Sequence, residues 1–138
     1  MSVRRRRHYS RALEHVLGRT VKRKDGASDA RIRRAETRLG LALPAALRDY
    51  YLVAGLASEN REHNRLFMPE ELLAESGHLV FMEENQAVVH WGIPLVAPSK
   101  ADPTVWQRVN GDRPQWFSEE LPFSEFILKN LAWQRGVA

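Results

Sequence analysis

Leu79-Val80-Phe81-Met82 and Ala87-Val88-Val89-His90-Trp91, with Glu83-Glu84-Asn85-Gln86 between them, form the stretch on which the fold turns. Both runs are short and rich in β-branched and aromatic residues, and the polar tetrapeptide between them favours a turn. That is the pattern of a β-hairpin. Downstream, residues 104–109 predict a third strand, Asn110-Gly111 supplies a strong turn pair, and Gln115-Trp116-Phe117 predicts a returning fourth strand. From Pro122 the apolar spacing lengthens. Phe123, Ile127 and Leu131 fall on one helical face, flanked by Phe126 and Trp133, so a closing helix is expected to cover the sheet.

Upstream the spacing is helical. Tyr9, Leu13, Val16 and Leu17 line one side of a helix from His8, with Gly18 as its stop, after which 19–27 reads as a basic linker with an Asp25-Gly26 turn. Ser28 or Asp29 caps a second helix carrying Ile32, Ala35 and Leu39, and Gly40 sits where a left-handed C-cap belongs. Pro44 opens a third helix, with Leu47, Tyr51 and Ala54 as its stripe and Gly55 as a left-handed end. Residues 57–64 are polar and read as an exposed loop. Pro69 opens a short helix through Leu73 that ends near Gly77. The expected fold is therefore α+β: a single domain with a twisted, largely antiparallel sheet and helices packed against it. Residues 1–27 read as a basic extension with a short helix, and 28–138 as the domain proper.

Composition narrows the function classes. The chain of 138 residues is 43% hydrophobic and 28% charged, which is globular and long enough to bury a core. With no cysteine, disulfides, thiol chemistry and thiolate metal sites are excluded. No apolar run reaches the ~20 residues a membrane span needs. The basic start lacks the hydrophobic stretch of a signal peptide, so a cytoplasmic setting is expected. The formal charge of +4 is unevenly spread: residues 1–30 hold nine Arg or Lys against three acids, and 59–138 hold seven against twelve.

Catalytic patterns are missing. There is no glycine-rich phosphate loop, nucleophile elbow or helical histidine pair beside a glutamate. The histidines at 8, 15, 63, 78 and 90 have no metal-ligand spacing, and His90 in its strand reads as a packed, hydrogen-bonded residue. Glu83 and Glu84 are neighbours in an extended segment, point to opposite faces and are badly placed to cooperate in catalysis. Arg4, Arg5, Arg6 and Arg7 read as a frayed, solvated tail able to meet phosphate backbones weakly and without sequence preference. No aromatic platform interleaves them.

The run Ile32-x-x-Ala35-Glu36-x-x-Leu39-Gly40-x-x-Leu43-Pro44, followed by Tyr50-Tyr51 and Gly55, resembles the opening signature of the SUKH superfamily. That superfamily groups fungal cell-wall-assembly regulators with bacterial immunity proteins that neutralise toxins. Glu84-Asn85-Gln86, Trp91-Gly92-Ile93 and Asp102-Pro103-x-Val105 resemble its middle and late motifs, and Phe123-Ser124-Glu125-Phe126 its final helix start. The resemblance implies an α+β fold and a non-enzymatic, protein-binding role, with a toxin domain as partner and no cofactor, metal or membrane. It carries over no catalytic residue.

Read physically, Glu36 is a structural hydrogen-bond partner for the loop after Leu43, Gln86 serves the hairpin backbone, and Asp102 before Pro103 caps a turn. Candidate partner contacts are Glu83, Glu84, His90, Trp106 and Trp116, because a partly exposed tryptophan can anchor an interface. The competing expectation is a nucleic-acid-associated accessory protein that uses the basic start.

Overall fold

The computed structural model describes residues 3–95, 100–113 and 115–137. Its first helix, α1, runs Val3–Leu17 and buries Tyr9, Leu13, Val16 and Leu17. It starts five residues before the expected position at His8, so Arg4 to Arg7 are helical and not a frayed tail; Met1 and Ser2 lie outside the described residues. The reason is an ion pair that sequence spacing hides. Arg5 donates to Asp49 at 3.1 Å, Arg6 Nε lies 4.0 Å from the other carboxylate oxygen, and the Asp49 side chain is 0% exposed. Gly18, at φ 67°, ends the helix as expected by donating to the Glu14 carbonyl.

The segment that reads as a linker is a packed strap. Ala27 N–H donates to the Tyr51 carbonyl and Leu56 N–H to the Asp25 carbonyl, both at 2.8 Å. A Cβ on Gly26 would lie 2.0 Å from the Leu52 carbonyl oxygen, so only glycine permits this approach. Arg19 locks the strap with a double fork, reaching Asp25 at 2.8 and 3.0 Å and Glu59 at 2.8 and 3.0 Å.

The Arg19 hydrogen bonds hold both carboxyls below their usual range, against the opposing effect of burial. A depressed folded pKa contributes stability that is present above the unfolded values of about 4 and is lost as pH falls through the folded ones. Arg19→Gln is therefore expected to flatten the acid limb of the stability curve below about pH 4. Urea midpoints measured from neutral pH downward check this, and a limb as steep as wild type would refute it.

Helix α2 (Asp29–Leu39) is capped by Ser28 and ends at Gly40, whose φ of 69° is the left-handed cap expected. Helix α3 (Ala45–Ala54) follows with Pro44 just outside it, as cap and not as first helical residue. Gly55 departs from expectation. Its φ is −60°, and what demands glycine is the Tyr51 ring, 2.5 Å from where a Cβ would sit.

Residues 57–64 are only in part the exposed loop expected. The 3-10 turn Ser58–Arg61 carries buried Asn60, which accepts from the Tyr50 hydroxyl and donates to the Ala54 carbonyl, both at 2.6 Å. Two of the polar residues that suggested exposure, Asn60 and Asn64, are buried in hydrogen bonds, while Ser58, Glu62 and His63 stay exposed.

Among the described residues six strands form one sheet: β1 (Arg65–Leu66), β2 (Leu73–Glu75), β3 (His78–Glu83), β4 (Val89–Pro94), β5 (Thr104–Val109) and β6 (Gln115–Pro122). The order is β1-β3-β4-β5-β6, with β2 also on β3, and every pairing is antiparallel. A short helix from Pro69 to Leu73 is not formed. Instead the 3-10 turn Pro69–Glu71 leads into β2, which pairs back on β3 before Gly77 turns the chain.

Helix α4 (Phe123–Gln134) leaves β6 without a linker and buries Phe123, Ile127 and Leu131, as the spacing predicts. The core lies where α1, α3 and α4 meet one sheet face, and Tyr9, Tyr50, Phe81 and Phe123 fill it. Tyr9 donates to the Ala46 carbonyl and Tyr51 to the Phe67 carbonyl, and burial raises the pKa of both phenols. They therefore act as neutral structural donors. Arg135, just past α4, donates to the Val16 and Leu17 carbonyls and to Glu62, which ties the last helix to the end of the first.

Candidate functional site

On the helix-covered face the sheet extends beyond α4 and leaves a groove. Its hollow of about 320 Å³ is walled by Trp91, Leu121 and Phe126, with Asn64, Asn130 and Trp133 along the α4 side. Alternation along the strands places Trp91, Gln107 and Phe117 in one cross-strand row, and Val109 in the next row on the same face. Phe117 is 48% exposed, Val109 is exposed beside it, and Trp133 is 69% exposed. Exposed large apolar side chains sharing a sheet face with a hollow mark a contact surface more often than scattered ones do.

The groove is built rigidly. The Trp91 ring tilts against Phe126 at 6.0 Å, and its indole N–H donates to Glu119 at 2.8 Å. Buried Asn64 donates its backbone N–H to the Gln134 side chain and its amide to Asn130 at 3.2 Å. Trp133 packs edge-on to His63 at 5.8 Å. Glu84, Glu119 and Lys129 supply the charges of the lining.

The opposite sheet face holds four of the five candidate contacts named from sequence. The His78 ring stacks on Trp116 at 3.6 Å with 12° between planes, and Trp106 lies 6.5 Å from His78. A Cβ on Gly92 beneath them would come 3.1 Å from both the Trp116 ring and the Leu79 carbonyl oxygen, tighter than ordinary contact. Arg108, 5% exposed, sits over Trp116 at 5.4 Å and reaches Asn110 at 3.1 Å and Glu75 at 3.5 Å. His90 lies between Glu83 at 3.4 Å and Asn110 at 2.9 Å, and Glu83 also accepts from Arg65 at 2.8 Å. Glu83, His90, Arg108 and Asn110 thus spend their polar atoms on neighbouring groups, whereas the buried Trp116 indole N–H has no hydrogen-bond partner among the described residues. Glu84 alone of the five belongs to the groove.

The signature residues work as joints. Glu36 accepts from the Leu43 N–H at 2.7 Å and pairs with Arg48, as its position before the loop implies. Leu39 is half-buried and Leu43 and Tyr51 are buried against α2 and α3. Asp102 accepts from the Ser124 N–H at 2.9 Å and its hydroxyl at 2.5 Å, so it caps α4 from across the chain, and not merely its own turn. Beside it, Pro103 accepts from the Phe123 N–H, and Val105 is fully buried. Asn85 and Gln86 form the exposed tip of the β3–β4 hairpin. There the Glu84 N–H meets the Val89 carbonyl at 2.8 Å.

Sequence reasoning missed the groove, although one signal was present. Trp133 stands off the Phe123-Ile127-Leu131 stripe, so a large apolar side chain on that helix had to point away from the core. Among the described residues, no group of three or more His, Asp or Glu side chains is placed to hold a metal ion, and no helix is long and apolar enough to cross a membrane. No protein-family model, no curated protein and no solved structure matches this chain.

Proposed function

We infer that the chain is a non-enzymatic protein-binding module that receives an apolar side chain of its partner in the groove between α4 and the sheet. The observation that carries this is Trp133, 69% exposed while lining a preformed hollow, with Phe117 exposed on the same sheet face two strands from Trp91. Tryptophan offers a large contact area at low entropy cost and is enriched among the residues that dominate binding energy. The SUKH-like signature supports a partner of the toxin-domain class, neutralised in the cytoplasm of the producing cell. Glu84 and Glu119 beside the hollow suit a basic partner face, such as that of a domain which handles nucleic acid.

Affinity capture from the native organism at physiological salt tests the reading, with wild type, Trp133→Ala and Glu84→Lys as baits. Wild type is expected to retain a toxin-type protein. Loss of an anchor worth about 2 kcal/mol lowers the affinity of Trp133→Ala roughly 30-fold. Glu84→Lys is expected to slow association more at low salt than at high salt, since salt screens the long-range attraction. Equal retention by all three baits would exclude the groove as the binding surface.

A further inference from the structure

The arginine run is divided by the helix it forms. Arg5 and Arg6 turn towards buried Asp49, while Arg4, Arg7 and Arg11 are exposed on α1, with His8 beside them. Among the described residues Arg4, Arg7 and Arg11 have no ion-pair partner. Two shallow hollows flank Arg7 and Arg11, one shared with Arg4 and His8, the other with Arg6 and Ser10. Glu14, near the far end, is the single acid of the helix.

This placement opposes helix stability. The first turn of a helix carries the positive end of the backbone dipole and favours acids; α1 has none there and presents arginines instead. Asp49 offsets Arg5, but among the described residues no acid pairs with Arg4 or Arg7. Local choices that work against their own element are the ones that point to function.

We propose that the Arg4-Arg7-Arg11 stripe binds the phosphodiester backbone of nucleic acid without reading its sequence. From Arg4 to Arg11 the helix rises about 10 Å, at about 1.5 Å per residue. Duplex DNA presents a charge about every 1.7 Å of its axis, so several phosphates lie within reach of the stripe. Guanidinium forks match phosphate oxygens in pairs. A membrane surface fits poorly: an interfacial helix buries an apolar face in lipid, and the apolar face of α1 (Tyr9, Leu13, Val16 and Leu17) is already buried in the core. The stripe carries no aromatic platform for stacking, and α1 lies packed on the core along its other side, so its arginines are placed to meet phosphates electrostatically. This surface is separate from the groove, and the proposal stands or falls independently of the protein-binding role.

The test is fluorescence anisotropy with a labelled ~20-base-pair duplex of arbitrary sequence, at about 50 and about 200 mM salt. Three phosphate contacts predict a log–log slope near −2.7, hence a roughly 40-fold loss of affinity across that range. R4Q, R7Q and R11Q singly should each reduce the slope by about 0.9, and the triple variant should lose binding at an unchanged melting temperature. An R33Q/R34Q control, on α2, should bind as wild type. The proposal is overturned if the triple variant binds like wild type, if the control loses as much, if wild type fails to bind the duplex, or if it binds phosphatidylserine vesicles in preference to the duplex. If the triple variant melts lower, the three single-variant slopes decide.

Discussion

Phe123→Ala is expected to lower the unfolding free energy by about 3–5 kcal/mol, the range for emptying a buried aromatic site. Phe123 is fully buried and meets Phe81 edge-on at 5.2 Å and Tyr50 at 6.3 Å, so one ring joins α4, the sheet and α3. Each such aromatic pair adds about 0.5–1.5 kcal/mol beyond its buried area. The substitution leaves the backbone bond from Phe123 to Pro103 in place, so the loss reports packing and not helix initiation. Phe117→Ala, at a half-exposed position on the same sheet face, serves as comparison and should stay within about 0.5 kcal/mol. Urea unfolding measures both, and equal losses would contradict the placement of the core.

Arg5→Ala is expected to destabilise by about 2–4 kcal/mol, while Arg4→Ala, one residue away, stays within about 0.5. Removing one partner of a buried pair typically costs about 3–5 kcal/mol, because the remaining charge stays desolvated. The figure here is lower because Arg5 is 21% exposed and Arg6 remains 4.0 Å from Asp49. Charge removal at both sites separates the pair from the site it occupies. Arg5→Met with Asp49→Leu should recover most of the loss, since a buried pair replaced by apolar groups is often neutral. A double variant as unstable as Arg5→Ala alone would show that α1 depends on something other than this contact.

The legible parts of the fold were those whose cause is local. Strand alternation, the turn residues near Asn110 and the Phe123-Ile127-Leu131 spacing are set by near neighbours, and they predicted β3 to β6 and α4. Glu36 was legible because its acceptor role reaches only seven residues ahead, to Leu43. The misread parts depend on distant partners. Asp49 lies 44 residues from Arg5, Glu59 lies 40 from Arg19, and Arg108 pairs with Glu75 across the sheet. Charged and polar residues look solvated until the fold supplies what neutralises them, which is why the helix start and the 57–64 segment were misplaced. The groove was hidden for a related reason: β4, β6, α4, residues 63–64 and Glu84 make it together, and its one local trace was the off-stripe Trp133.

The tie from Arg135 to the Val16 carbonyl has a consequence for how the chain is made. The two residues are 119 apart. At about 5–20 residues per second of synthesis, Val16 waits roughly 6–24 s before Arg135 exists. During that interval Tyr9, Leu13, Val16 and Leu17 lack the α4 surface that completes their packing. Until then the apolar side of α1 is covered by α3 alone and open where α4 will lie. Chaperone contact with the unfinished protein should concentrate on the α4-facing side of α1 and end once residue 135 has emerged and docked.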